Sequence, residues 1–235
     1  MILIVIPAFN EEDTIVDVIK SLVKSGYNKI LVVNDASTDN TGLIAEQLGV
    51  KVLHLEHNMG AWKATQTGIR YALQNNYKQV VTFDADGQHL VKSLSKLISC
   101  QKNDDVDVVI GSCTERGSVL RHVAWGMFRF LSGVEVKDLT SGLRLYNHKA
   151  IQVLASEQAS LIEYQDVGVL LLLRKAGITK SEVKVQMEKR KVGGSRIFHS
   201  WGAVTYYMAY TTVLCLSKIA KTYSFESIDI NSESL

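Results

Sequence analysis

VVTFDADGQH, residues 80–89, sets a run of apolar and β-branched residues against two acids spaced one apart. An apolar run this short, bounded by turn residues, reads as a buried strand. Its abrupt end at Asp84 and Asp86 has two readings. One is a polar turn that caps the next helix. The other is a pair of carboxylates presenting oxygens to a hard cation such as Mg²⁺ or Mn²⁺, with Gln88 beside them and room for diphosphate oxygens. Such a cation acts as a Lewis acid on a diphosphate leaving group.

The pattern around this stretch decides the fold class. Apolar runs at 2–6 (ILIVI), 29–33 (KILVV), 51–55 (KVLHL), 79–83 (QVVTF) and 107–111 (DVVIG) read as strands. Between the first two, Ile15, Val18, Ile19, Leu22 and Val23 keep helical spacing after an acidic turn, and Gly26 ends the run. Further helices are expected up to Gly49 and from about Ala61 to Leu73. Apolar strands alternating with helices predict an α/β fold with a mostly parallel sheet covered on both faces. In such sheets ligands bind beyond the carboxyl ends of the strands. PAFNEE, NDAS and DADGQH all fall there, after strands one, two and four. The back half is less regular. It holds a helix around 119–132, then DLTSGLRLYN, EYQDVGVLLLLRKAG, a strand-like SEVKVQM and a basic loop, EKRKVGGSR. No repeat or low-complexity linker divides the chain. The expectation is one domain over 1–223, with a front half 1–111, a back half 112–199 and a helix 200–223, followed by a mobile acidic tail, 224–235.

Composition bounds the function. The chain has 235 residues, 46% hydrophobic and 21% charged, which is globular. A net charge of +2 argues against a dedicated nucleic-acid binder. The last twelve residues carry three acids and no base, so the remainder has 26 basic against 21 acidic residues, a net of +5. That is a mild bias toward phosphate-bearing partners. Cys100, Cys113 and Cys215 form no C-x-x-C pair, and MILIVIP is too short and lacks the basic start of a signal peptide. Reduced thiols and a cytoplasmic location are expected.

There is no G-x-G-x-x-G after the first strand and no G-x-x-x-x-G-K-[ST], which weighs against a dinucleotide site and a P-loop. In NDASTDNT, Ser37, Thr38 and Asp39 suit a helix cap, while Asp35 at the strand tip can accept from a base N–H or a ribose hydroxyl. In RKVGGSR, Gly193 and Gly194 let backbone approach phosphate and the flanking cations neutralise it; a solvated basic turn is the alternative. Arg116 and Arg121 flank a Gly/Ser loop and suit either an acceptor phosphate or a surface helix start. The six histidines show no metal-ligand spacing; His89 is the one near the acids.

Taken together, VIPAFNEE, VVNDASTDNT, HNMGAWKATQTGI, FDADGQH, TSGLRLYN and RKVGGSR resemble, in this order, family 2 glycosyltransferases of the GT-A fold. The resemblance covers roughly residues 1–200 and is nearest to the dolichyl-phosphate-mannose-synthase-like branch, with its bacterial polyprenyl-phosphate glycosyltransferases. It implies inverting, metal-dependent transfer of a sugar from a UDP- or GDP-linked donor. By position, Pro7, Ala8, Asn10 and Glu11 would line the nucleotide pocket, and Asp35 would meet base or ribose. Asp84 and Ala85 would lie near ribose and diphosphate. Asp86 would bind the metal, with Asp84 and Gln88 beside it. Ser141 and Arg144 would lie near the transferred sugar or the acceptor phosphate. Asp166 stands where the family carries an acidic pair. Arg190, Ser195 and Arg196 match a basic loop that closes on the diphosphate.

Three positions depart from the pattern. Asn34–Asp35 replaces an acidic pair, Lys63 comes late in NMGAWK, and Gln165–Asp166 replaces the second acidic pair. A lipid phosphate acceptor is already anionic and needs no strong base, whereas a sugar hydroxyl would require Asp166 to take a proton. The leading acceptor is therefore a polyprenyl phosphate; a saccharide hydroxyl is the second reading and a weakly catalytic nucleotide-sugar-binding subunit the third. Residues 200–217 carry no charge. On a helical wheel Trp201, Val204, Met208, Cys215, Leu216 and Ile219 share one face, with Tyr206, Tyr210, Ser217 and Lys221 opposite. This reads as an amphipathic helix, on a membrane surface ahead of packed on the domain, and places the protein at the cytoplasmic face of the membrane. The same apolar surface would also suit a homo-oligomer or a membrane partner.

Overall fold

The structure, a computed structural model, describes residues 1–116, 119–188 and 201–216. The chain alternates β1 (Ile2–Ala8), α1 (Glu12–Lys24), β2 (Ile30–Asn34), α2 (Thr41–Gln47), β3 (Lys51–His54), α3 (Ala61–Gln74), β4 (Gln79–Thr82), α4 (Lys92–Asp104) and β5 (Val108–Ser112). After a short 3₁₀ turn, Thr114–Arg116, come α5 (Val119–Ser132), β6 (Arg144–Asn147), α6 (His148–Ala155), α7 (Glu157–Ser160), α8 (Val167–Lys175), β7 (Lys180–Lys184) and α9 (Trp201–Leu216).

All seven strands form one sheet in the order β3-β2-β1-β4-β6-β5-β7. The pairs β1–β2, β1–β4, β2–β3 and β5–β7 are parallel, and β6 runs antiparallel to both β4 and β5. The back half of the chain therefore does not form a separate layer; it supplies β6 and β7 to the sheet that the front half begins.

Strand side chains alternate between two cores, as the pleat requires. Leu3, Val5, Leu31, Val33 and Val80 face the core shared with Trp62, Trp125, Phe128 and Leu170. Ile4, Ile6, Val32, Val81 and Leu145 face the core built with α1 and α4 through Ile15, Ile19, Leu22, Leu94 and Leu97. Both faces being covered explains why the central strands read as unbroken apolar runs. The edge strands β3 and β7 are partly exposed and carry Lys51, Lys180 and Lys184, which discourages further strand addition.

The antiparallel β6 positions the site. A parallel strand would enter the sheet at the opposite edge. Running backwards, β6 begins where β4 and β5 end, with Arg144 opposite Thr82 and Ile110. The segment before it, Thr140–Leu143, is thereby laid against the acids that follow β4. Thr82 Oγ1 donates to the Gly142 carbonyl at 2.6 Å and Ser141 Oγ to the Gly111 carbonyl at 2.5 Å, fixing that segment to both neighbours.

Helix α9 packs on α5 and α8. Its covered side is Tyr207, Thr211 and Cys215, with Val204, Met208 and Leu214 partly covered. This corrects the expected wheel. Leu216 is exposed rather than sharing the covered face of Cys215, and apolar residues lie on both sides of the helix. Tyr206 stays exposed, and both Tyr206 and Tyr210 hydrogen-bond to Glu163. Ser217, Ile219 and Lys221 lie outside the described residues. Among the described residues no helix is long and apolar enough to cross a membrane.

Candidate active site

The tips of β2, β1 and β4 are neighbours, so their trailing loops meet. Pro7 and Ala8 pair with Val33 and Asn34 in the sheet. The loop after β1 is then latched to the loop after β2. Asn10 N–H donates to Ser37 Oγ at 2.9 Å, Thr38 N–H to Asn10 Oδ1 at 2.8 Å, and Glu11 N–H to Thr41 Oγ1 at 2.8 Å. Asn10 takes a left-handed backbone (φ 53°), an uncommon conformation that Asn tolerates best among ordinary residues. PAFNEE and NDAS thus form one rim.

Asp35 does not lie open on this rim. It is 2% exposed, and its two oxygens accept the Met59 N–H at 2.7 Å and the Gly60 N–H at 2.9 Å. Asp35 thereby holds the NMG loop at the rim. Asn34 is engaged as well: its amide meets His54 Nδ1 at 3.1 Å and accepts the Ser37 N–H at 3.1 Å. An Asp at 34 could not donate to that imidazole nitrogen, which gives a structural reason for the departure from an acidic pair.

Beyond β4, Ala85 is buried and Gly87 takes φ +73°, a turn that favours glycine and lets the chain fold back. Within this turn Asp86 Oδ1 accepts the Gln88 N–H at 3.0 Å. Gln88 also pairs with Glu188 in both directions, carbonyl to N–H at 2.9 Å and side-chain amide to carbonyl at 3.2 Å. The turn is thus tied to the residue that opens the basic loop; Arg190, Ser195 and Arg196 lie outside the described residues. His89, with its imidazole fully buried, packs edge-on to Phe83 and meets Asp84 Oδ2 through Nε2 at 2.8 Å. Its Nδ1 is buried without a partner among the described residues, so a proton is better placed on Nε2, where it is donated to Asp84, than on Nδ1. On the other side of Asp84 stands Gly142. A Cβ there would lie 2.5 Å from one carboxylate oxygen and 2.6 Å from the other. Asp84 is thus cradled between an imidazole and a bare backbone, with its side chain one-third exposed (33%).

This donor set fits a divalent cation. Two carboxylates and an amide oxygen on one turn leave the remaining coordination to phosphate and water, the arrangement Mg²⁺ favours. Among the described residues no cluster of three His, Cys, Asp or Glu side chains forms a closed protein cage.

Arg144 and Ser141 lie inside the fold. Both are 0% exposed. The Arg144 guanidinium donates to the carbonyls of Ser141 (2.9 Å), Gln165 (2.9 Å) and Leu139 (3.1 Å). It straps the segment bearing Gly142 to the segment bearing Asp166. The reason is β6 again: a residue opening a central antiparallel strand is enclosed by the sheet's covering helices. Arg121 is partly exposed on α5; the Arg116 side chain lies outside the described residues.

Asp166 lies just before α8, buried, with Oδ2 accepting the Tyr207 hydroxyl at 2.9 Å. Burial, then the Asp166 charge, push the Tyr207 phenol far above its ordinary range, so it stays protonated and donates. Glu163 accepts from the Tyr206 hydroxyl at 3.0 Å. Lys63 donates to the Ser160 carbonyl; burial and then Arg70 lower its pKa, and Glu163 works the other way. Gly142 and Tyr207 were not assigned from sequence, and His89 was read there as the histidine near the metal and donor. His89 stood next to the acids and Gly142 inside a recognised motif, but only the reversed β6 brings Gly142 to Asp84.

A mostly parallel sheet with helices on both faces, an acid pair at the tip of β4 and one reversed strand beside it define a GT-A glycosyltransferase fold. A crystal structure of glucosyl-3-phosphoglycerate synthase from Mycobacterium tuberculosis with phosphoglyceric acid superposes with a TM-score of 0.72 at 20% identity, covering 95% of this chain and 81% of that one. A complex of that enzyme with Mn²⁺, UDP-glucose and phosphoglyceric acid gives 0.68, with 92% and 80% covered, also at 20% identity. Residues 3–155 match the sequence model of Glycosyl transferase family 2, more than half of the chain, and the protein belongs to that family. Similar proteins include the UDP-N-acetylglucosamine–dolichyl-phosphate N-acetylglucosaminyltransferase of Methanococcus voltae, 32% identical over 202 residues, 74% of this chain and 80% of the relative. The polyprenol monophosphomannose synthase of Mycolicibacterium smegmatis is 27% identical over 213 residues, 83% of this chain and 80% of the relative.

Proposed function

We propose that this enzyme transfers a sugar from a nucleotide diphosphate sugar to a polyprenyl phosphate, with inversion at the anomeric carbon. The observation that carries the reading is the joining of two sides. Asp84 of the donor side faces Gly142, and Arg144 straps the Gly142 segment to the loop bearing Asp166. The relatives named above as acting on dolichyl phosphate and polyprenol support the acceptor class.

Asp84 and Asp86, with Gln88, would hold Mg²⁺ or Mn²⁺, which when bound neutralises charge on the departing diphosphate. Pro7, Ala8, Asn10 and Glu11 form the rim against which the nucleoside lies, with the Asp35-held NMG loop closing it. Arg190, Ser195 and Arg196 are the candidates for further phosphate contacts, and Arg116 and Arg121 for the acceptor phosphate. A phosphate monoester is anionic at neutral pH, since its second pKa is about 6. Its oxygen attacks the anomeric carbon as the nucleotide diphosphate leaves, and no base is needed.

The exposed side of α5 fits a lipid acceptor. Val123, Met127 and Phe130 form a stripe one turn apart, Phe130 being 88% exposed. Val213 and Leu216 are exposed on the neighbouring α9. Arg129 lies exposed beside the stripe, as anionic headgroups favour. We read this face as the one that lies on the cytoplasmic surface of the membrane; a second copy of the chain or a membrane protein is the competing occupant.

A second reading, transfer to a saccharide hydroxyl, has one observation of its own: the buried, hydrogen-bonded Asp166 carboxylate is placed as a base would be. The test is nucleotide diphosphate release from a panel of UDP- and GDP-sugars with Mn²⁺ or Mg²⁺, each with and without a short polyprenyl phosphate. One donor should respond, and release should rise sharply with the lipid and vanish in Asp86→Ala. Lipid-independent release, or none with folded protein, would refute the acceptor.

A further inference from the structure

We propose that α9 forms part of the active site on its acceptor side, with Tyr207 the positioning residue for Asp166. This rests on reading Asp166 as an acceptor-side residue that orients the acceptor without taking a proton from it.

Each of the four residues Glu163–Asp166 is held. Tyr206 donates to the Glu163 carboxylate at 3.0 Å, and the Glu163 N–H donates to the Tyr210 hydroxyl at 3.2 Å. The Tyr164 ring meets Tyr207 and Tyr210 edge-on, at centroid distances of 5.1 and 5.7 Å. The Gln165 carbonyl is taken by Arg144. Asp166 is taken by Tyr207 at 2.9 Å. Three of these four grips come from one helix, and neither the helix nor the loop falls in the family-matched segment 3–155.

The physical consequence follows from torsional freedom. A carboxylate at the mouth of a helix turns about two side-chain torsions. One charge-assisted hydrogen bond from a fixed donor sets one oxygen and so the direction of the other. Tyr207 is such a donor. Its ring is wedged edge-on between Phe128 of α5, at 6.2 Å, and Tyr164. It is buried and keeps its proton. The orientation of Asp166 is therefore set by how α9 sits on α5.

A double-mutant cycle tests this. Tyr207→Phe removes the hydroxyl and keeps both ring contacts. Asp166→Ala removes the group being positioned, and Asp166 makes no side-chain cap to α8 that its loss would break. Acceptor kcat and KM are measured for both single variants and the double, and donor affinity by calorimetry with Mn²⁺ verifies a folded donor side in each. Tyr207→Phe should lower kcat about tenfold, as expected for a lost hydrogen bond to a charged group. Its donor affinity should stay within about twofold, and adding it to Asp166→Ala should cost nothing further. Additive losses, a parallel fall in donor affinity, or a wild-type rate for Tyr207→Phe would overturn the proposal. Full turnover by Asp166→Ala would remove the reading of Asp166 itself, and the proposal with it. An impaired Asp166→Ala beside an unimpaired Tyr207→Phe would sink the proposal alone.

Discussion

Gly142 shows what a single residue does here. It needs no unusual backbone angle; what it supplies is the missing side chain. Any Cβ would press on both oxygens of Asp84. Gly142→Ala should therefore fold normally and lose metal affinity and turnover together, each by at least about tenfold, as when a metal ligand's supporting contact is disturbed. Mn²⁺ titration by electron paramagnetic resonance, beside a thermal melt, reads both. Unchanged Mn²⁺ affinity would show that Asp84 yields freely and that the cradle does not matter. Asp84, Asp86 and Gln88 were legible in sequence because their arrangement is local: one turn, two residues apart. Arg144 and Ser141 were picked out as residues of interest, but their roles depend on burial, and burial depends on which way the next strand runs.

At the scale of elements, the missed feature is β6. RLYN is four residues long and opens on an arginine, so no apolar run marks it as a central strand. What makes it one is pairing on both sides, and charge satisfaction at each end. Arg144 is answered by three carbonyls at one end. At the other, Asp107 ties three strands together. It accepts from Asn147 Nδ2 at 2.8 Å, from the Thr179 N–H at 2.9 Å and from Thr179 Oγ1 at 3.0 Å, with Lys149 at 3.4 Å. Burial opposes its charge, but these hydrogen bonds and the lysine outweigh burial and hold its pKa below the ordinary 3.8. A depressed carboxylate stabilises the fold above its unfolded pKa and loses that contribution as pH falls through the folded value. Asp107→Asn should cost about 1–3 kcal/mol at pH 7. The gap from wild type should narrow as the pH falls below about 4. Denaturant unfolding at pH 7 and pH 3 measures it; a gap independent of pH would contradict the assigned charge state.

At the scale of the whole molecule, the doubly covered sheet and the polar strand tips could be read from alternating apolar runs and acids. The C-terminal helix was read as a helix, and Val204, Met208 and Cys215 of its expected face are covered, but Leu216 is exposed and Tyr207 and Thr211 were missed. A wheel ranks residues by hydropathy. The domain instead takes in Tyr207 and Thr211, because a hydroxyl can be buried where a partner such as Asp166 waits for it. The outward side left on α5 and α9 is what a lipid acceptor would meet. Phe130→Asp should lower turnover on long-chain acceptor in anionic vesicles by about tenfold or more, as charge on an interfacial apolar face does. It should leave turnover on a short, soluble polyprenyl phosphate near wild type. Equal effects on both acceptors would place Phe130 in the fold rather than at a lipid surface.

The central claim is the acceptor. The most direct measurement incubates the responding nucleotide sugar and Mn²⁺ with a short polyprenyl phosphate, the matching polyprenol, or an oligosaccharide, and follows the products by mass spectrometry. The account predicts one added sugar on the polyprenyl phosphate, none on the alcohol and none on the saccharide. Sugar on the saccharide or the alcohol, with the phosphate untouched, would contradict it and make Asp166 a base.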